Sequence, residues 1–171
     1  MAIILGVDPG SRKMGFGLLK QEGEDWVHLD HGVIETKDKM SLPERLYVAY
    51  QGLERVFSQY RPEFTVVEKI FLGKNADSAF KLGHVRGLVL QLAWAHESEV
   101  FEYAPRSVKK TLTGSGAAEK DQVQMFVCHC LGLRPPIQED ASDALALALS
   151  HSRWQENGRR LEGFCRQVQE L

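Results

Sequence analysis

Apolar and polar positions divide the chain into a β-rich opening and a remainder in which helix and strand alternate. Ile3-Ile4-Leu5-Gly6-Val7 is a continuous apolar run, the pattern of a strand buried on both faces, and Asp8-Pro9-Gly10-Ser11 after it is a turn signal. Residues 14–20 read as a second strand and 26–36 as a third; the short turns between them predict an antiparallel meander. Residues 42–60 carry helical periodicity through Leu46, Ala49, Leu53, Val56 and Phe57, with Ser41 as N-cap and Pro43 in the first turn. Phe64-Thr65-Val66-Val67 is the next strand and delivers Glu68 at its end.

Helices over 75–96, 105–112, 119–131 and 140–154, with a fifth strand over 99–104, complete the order. Three strands followed by alternating helix and strand predict an α/β fold, a mixed five-stranded sheet flanked by helices. Residues 1–155 are expected to form one domain and 156–171 a peripheral or frayed C-terminal segment.

Composition narrows the class without naming a function. The 171 residues are 43% hydrophobic and 26% charged, enough for one domain with a real core. No apolar run reaches the roughly 18 residues of a membrane span. With no basic leader or cleavage site before Ile3, the expectation is a cytoplasmic protein with no membrane partner. Cys128, Cys130 and Cys165 are too few and too clustered for a disulfide framework. Cys128-His129-Cys130 lies in a helical pattern, where residues two apart point about 200° away from each other, so buried, reduced thiols are expected rather than a metal site.

The net charge of −2 hides an uneven distribution. Residues 69–120 carry eight Lys/Arg against five Asp/Glu, and the remainder thirteen against eighteen. A nucleic-acid face therefore has to be assembled from the middle third.

The informative chemistry is acidic. Asp8 and Glu68 each follow a buried apolar strand, and neighbouring strands bring both carboxylates to one sheet edge. Asp140 and Asp143 stand three apart at a helix start, on one face; the small and apolar residues that follow predict packing against the sheet. Four gathered carboxylates stay ionised together only with a neutralising cation. Hard oxygen ligands select Mg2+, with Mn2+ as a substitute. Two such ions about 4 Å apart activate a water and stabilise the leaving 3′ oxygen of a phosphodiester.

The combination Gly6-Val7-Asp8-Pro9-Gly10-Ser11 with Gly15 and Gly17, Glu68-Lys69-Ile70-Phe71, and Lys74-Asn75-Ala76-Asp77-Ser78-Ala79 resembles the RuvC family of bacterial Holliday junction resolvases. The resemblance continues through Phe101-Glu102-Tyr103-Ala104, Ala118-Glu119-Lys120 and Asp140-Ala141-Ser142-Asp143-Ala144-Leu145-Ala146, over roughly residues 1–152. It implies a ribonuclease H-like fold, a homodimer, and magnesium-dependent symmetric nicking of four-way junction DNA, with two ions per active site. By position, Asp8, Glu68, Asp140 and Asp143 match the family's catalytic acidic residues, and Asp140 is the position that varies in some relatives. Lys109 and Lys120 match family lysines near the active site. RuvA and RuvB, the branch-migration proteins, are implied partners.

Other groups are candidates for DNA contact. Phe71, in a polar, glycine-containing stretch, is placed to stack on an unpaired base. Lys74, Arg106, Lys109 and Lys120 supply charge. Ser115, between Gly114 and Gly116, is expected to expose backbone N–H groups to phosphate. Gly83 and Gly87 form a groove for helix packing or a dimer interface. The tail after His151 is not expected to bind DNA, since Arg159, Arg160 and Arg166 are offset by Glu156, Glu162 and Glu170. Three rival readings remain at this point. The Asp8-x-Gly10 start also suits an actin-like ATPase or kinase, which needs about twice this length; a non-catalytic junction-binding protein and a nuclease acting on RNA hybrids are the others.

Overall fold

The computed structural model describes residues 2–69 and 76–169, and side chains only over 2–69 and 77–155. A meander opens the chain: β1 (Ile3–Asp8), β2 (Lys13–Glu22) and β3 (Asp25–Glu35). Then come α1 (Leu42–Tyr60), β4 (Phe64–Glu68), α2 (Ala76–Ala95) and β5 (Glu99–Tyr103). The last elements are α3 (Pro105–Thr113), α4 (Lys120–Leu131) and α5 (Glu139–Gln169).

The strands form one sheet in the order β3-β2-β1-β4-β5. β1 pairs antiparallel with β2 and parallel with β4, and β4 pairs parallel with β5. The mixed five-stranded sheet expected from the chain's periodicities is thus the observed one. The central position of β1 follows from its composition: Ile4, Leu5 and Val7 are fully buried, which requires cover on both faces.

Two apolar layers sandwich the sheet. On one face α5 lies across the sheet, with α3 and α4 beyond it, around Ile4, Leu19, Val66, Val108, Val123, Val127 and Leu145. On the other, α1 and α2 cover Leu5, Val7, Leu18 and Val67 with Leu53, Phe57, Val89 and Leu92. The α1 start is held as its sequence dictates: the Glu44 carboxylate accepts from the Ser41 backbone N–H at 2.7 Å and from the Ser41 hydroxyl at 2.7 Å.

Some expectations shift. α5 begins one residue earlier than its periodicity suggests, and its backbone is helical to Gln169. Cys128 faces the core but Cys130 is exposed, in contact with the Arg153 guanidinium, because two helical steps carry the side chain to the far side. Cys165 lies outside the residues whose side chains are described. Among the described residues no helix is long and apolar enough to cross a membrane.

Candidate active site

Strand alternation decides which way each acid faces. Ile4 lies under α5 while Leu5 and Val7 lie under α1 and α2, so counting in twos puts Asp8 with Ile4 and Gly6 on the α5 face. The same count on β4 puts Glu68 with Phe64 and Val66. β1 and β4 are parallel neighbours in register at Val7 and Val67; one residue further on, the two carboxylates leave the sheet side by side.

α5 brings the helical acids to the same place, and it does so through glycine. Gly15 pairs with Asp8 across the β1–β2 ladder. A Cβ on Gly15 would sit 1.9 Å from the Asp140 carbonyl oxygen, and one on Gly6 would sit 1.9 Å from the Ala144 carbonyl oxygen. Only the absence of a side chain lets the first turns of α5 rest directly on the strands.

The result is a cleft of about 350 Å³ lined by Asp8, Glu68, Lys109, Lys120 and Asp143, with an apolar wall that includes Val108 and Leu147. Burial, reinforced by Asp143, Glu68 and Asp140, pushes the Asp8 carboxyl up to about 7. Burial and Asp143 also raise the Glu68 carboxyl. Asp143 is raised by burial, against the opposing pull of Lys120. This is the electrostatic signature of carboxylates in want of a cation.

Lys120 supplies one positive charge. Its ammonium donates to Asp143 Oδ2 at 3.2 Å and also to Glu139 Oε1. The Glu139 bond, ahead of the Asp143 contact, holds the amine above the ordinary lysine range. Lys109 points its Nζ to the Ala118 carbonyl at 2.7 Å, which fixes it against the loop between α3 and α4.

Five residues singled out in the sequence therefore meet: Asp8, Glu68, Asp143, Lys109 and Lys120. Asp140 is half-buried one turn before Asp143 and is not a wall of the cleft, though its charge acts on both Asp8 and Asp143. Arg106 is exposed in the first turn of α3. Ser115 is exposed beside a separate shallow groove with Thr113, Gln122 and Phe126. Phe71 and Lys74 lie outside the described residues.

Part of the Gly114-Ser115-Gly116 loop already spends its N–H groups within the turn. The Gly114 N–H donates to the Lys110 carbonyl as the helix cap, the Ser115 N–H to Thr113 Oγ1, and the Ala117 N–H to Ser115 Oγ. These donors close the turn on itself. Glu139, in contrast, escaped notice in the sequence; its only signal there was its place directly before Asp140, which reads as an ordinary first-turn acid.

Among the described residues no three His, Cys, Asp or Glu side chains stand close enough to form a ready-made ligand cluster. The carboxylates share a cleft and feel one another's charge without converging. Their chemistry nevertheless fits a hard divalent cation: all are oxygen donors, three have raised carboxyls, and an ammonium already sits against Asp143.

Comparison with known proteins gives this arrangement a family. The family model for crossover junction endodeoxyribonuclease RuvC matches residues 4–151. Proteins of that name from Cronobacter sakazakii and Sodalis glossinidius are 45% and 46% identical over 161 residues, covering 94% of this chain and 92% of each relative. A Thermus thermophilus RuvC structure in complex with Holliday junction substrate superposes with a TM-score of 0.84 at 31% identity, covering 92% of this chain and 97% of that one. The yeast mitochondrial Holliday junction resolvase Ydc2 shares the fold at a TM-score of 0.72 and 12% identity, covering 96% of this chain and 85% of that one. With the family model spanning most of the chain and relatives of that name about 45% identical over nearly all of it, the chain belongs to the RuvC family of crossover junction endodeoxyribonucleases.

Proposed function

We propose that this chain is a metal-dependent DNA endonuclease that resolves Holliday junctions by paired symmetric nicks in strands of like polarity, in recombination and repair. The observation that carries this reading is the acidic cleft itself: Asp8, Glu68 and Asp143, on three separate elements, open beside Lys109 and Lys120 in a RuvC-family chain. Residues 1–155 make up the nuclease domain.

Asp8, Glu68, Asp140 and Asp143 would hold the catalytic cation, Mg2+ with Mn2+ as a substitute, at two ions per site, and would thereby supply a water activated for attack and positive charge against the scissile phosphate. Asp8 and Glu68 stand at the ends of adjacent strands, so the main chain sets where both side chains start. Asp143 and Asp140 arrive on α5, which Gly6 and Gly15 seat against the same strands. Lys120 offers its ammonium to the phosphate oxygens as negative charge develops there. Lys109, tied to the Ala118 carbonyl, holds positive charge on the cleft wall. Arg106, Ser115, Phe71 and Lys74 contact the DNA outside the reacting centre.

Two cuts require two sites, which a C2 dimer on a twofold junction supplies. The outward stripe of α2 suits that role. Phe80 is 71% and Trp94 86% exposed. Between them Gly83 and Gly87 leave open space where a Cβ would be, as a close helix approach needs. RuvA and RuvB are the further partners of this reading.

The test is a mobile synthetic four-way junction incubated with the protein and Mg2+, with nicks mapped on all four strands. Two symmetric nicks in strands of like polarity are expected. Asp8→Asn, Glu68→Gln and Asp143→Asn should each abolish cutting while junction binding persists. Wild-type cutting by any of these variants would sink the assignment of that residue.

A further inference from the structure

Lys120 is shared by two carboxylates in different surroundings. Asp143 lines the cleft, as Lys120 does, and its side chain is 36% exposed. Glu139 is not part of the wall, and its side chain is 65% exposed. It is the first residue of α5, and its carboxylate oxygen is the closer of the two partners of the ammonium. Helix formation does not need this pairing, since Asp140 already supplies first-turn negative charge. The Lys120–Glu139 contact spans nineteen positions in the chain and joins the start of α4 to the start of α5.

We infer that Glu139 is a positioning residue that keeps the Lys120 ammonium at the mouth of the acidic cleft and so preserves the cleft's affinity for its divalent cation. This rests on the reading of Asp8, Glu68, Asp140 and Asp143 as cation ligands.

The physical case concerns what Lys120 does without its outer partner. A lysine carries a compact charge on a flexible four-carbon stem and has three donors to place. With Glu139 present, one donor is held outside while another touches the nearest cleft carboxylate. With Glu139 gone, the nearby negative charge is all inward: Asp143 first, then Asp8 and Glu68, all of which already feel the Lys120 field. An ammonium folded onto those oxygens cancels the charge that attracts a divalent ion, and the ion then has to displace it. Glu139 thus sets the cation affinity by where it holds a competing charge.

The experiment measures Mn2+ binding to the free protein, without DNA, by the loss of the free-ion electron paramagnetic resonance signal. Glu139→Gln is expected to weaken binding about three- to fivefold, the range of an exposed ion pair. Glu139→Asp, which keeps the carboxylate, should recover part of that loss. In a Lys120→Met background, Glu139→Gln should have no further effect, because the competitor is gone. Unchanged binding in Glu139→Gln overturns the inference. So does an equal loss in the Lys120→Met background, which would mean that Glu139 acts by its own charge. Asp8→Asn separates this from the reading beneath it. If Asp8→Asn binds Mn2+ like the wild type, the ligand assignment itself fails. If Asp8→Asn loses the ion while Glu139→Gln does not, only the role of Glu139 falls.

Discussion

The two faces of the sheet are packed differently. Under α1 and α2 the contact is made by bulky side chains: Leu53, Phe57, Val89 and Leu92 press on Leu5, Val7 and Leu18. Under α5 such side chains are joined by a closer contact at the start of the helix, where Gly6, Gly15 and Gly17 on the strands face Asp140, Ala144 and Leu145. A layer of large side chains tolerates rearrangement, because rotamers and neighbours can absorb a change in volume. A helix backbone lying on a strand has no such reserve. The face that carries the chemistry is the one where helix backbone rests on strand, although both faces bury comparable sets of large apolar side chains.

The strongest way to break this contrast is Gly15→Ala. Its new methyl lies within 2 Å of the Asp140 carbonyl and forces α5 off the strand. A shift of about 1 Å in reacting groups is enough for a loss of about 100-fold. The expected outcome is at least that loss in single-turnover cleavage of a four-way junction by protein that is still folded. Leu53→Ala on the other face, where Leu53 is fully buried, should lose about 3 kcal/mol in urea unfolding. Its folded fraction should cut junctions at close to the wild-type rate. A large rate loss in Leu53→Ala with little destabilisation would erase the distinction.

Smaller effects sharpen it through pH. His151, on the α5 face, is 2% exposed and packs among Phe64, Phe101 and Tyr103, with its Nδ1 2.8 Å from the Tyr103 hydroxyl and no partner for Nε2 among the described residues. Burial drives its ring down to about 4. Its contribution to stability is therefore complete above the ordinary value of 6.5 and is lost as pH falls through 4. His151→Gln should flatten the stability change between pH 7 and pH 4 by about 2 kcal/mol relative to wild type, as measured by chemical denaturation.

Asp8 works with the opposite sign. Its carboxyl lies at about 7 in the fold against 3.8 ordinarily, so the charged form is disfavoured: no penalty exists below 3.8, and it is complete once pH has risen past 7. In chelator, Asp8→Asn should be more stable than wild type by about 1 kcal/mol at pH 8 and no more stable at pH 3. An equal gain at both pH values would show that the effect is packing and not charge.

Much of this was legible in the chain because it is local. Buried runs ending in Asp8 and Glu68 announce strands with a carboxylate at the tip, and Ser41 with Pro43 announces the α1 start. The roles of Gly6 and Gly15 are not legible, although both stand in the motif that carries the family resemblance, because what excludes a side chain is a helix more than a hundred residues away. Glu139 was missed for the same reason: a first-turn acid looks alike whether it faces water or a lysine from α4. The exposure of Cys130 and the acceptors used in the Gly114–Gly116 loop are not legible either, because they depend on which side of a helix meets the core and on which short-range acceptor a donor finds first.

The bulge in the outer strand has its own consequence. Between Leu18 and Leu19 the β2–β3 register shifts, leaving Leu29 as the extra residue and turning His28 and His31 to the same side, 2.8 Å apart. β3 is eleven residues long and forms one margin of the sheet, with Asp25, Asp30 and Glu35 along it. A long straight margin invites another chain to add a strand; an interrupted and charged one resists it. The opposite margin, β5, offers only five residues. Neither margin of the sheet therefore offers a second copy a long, regular strand on which to extend the ladder.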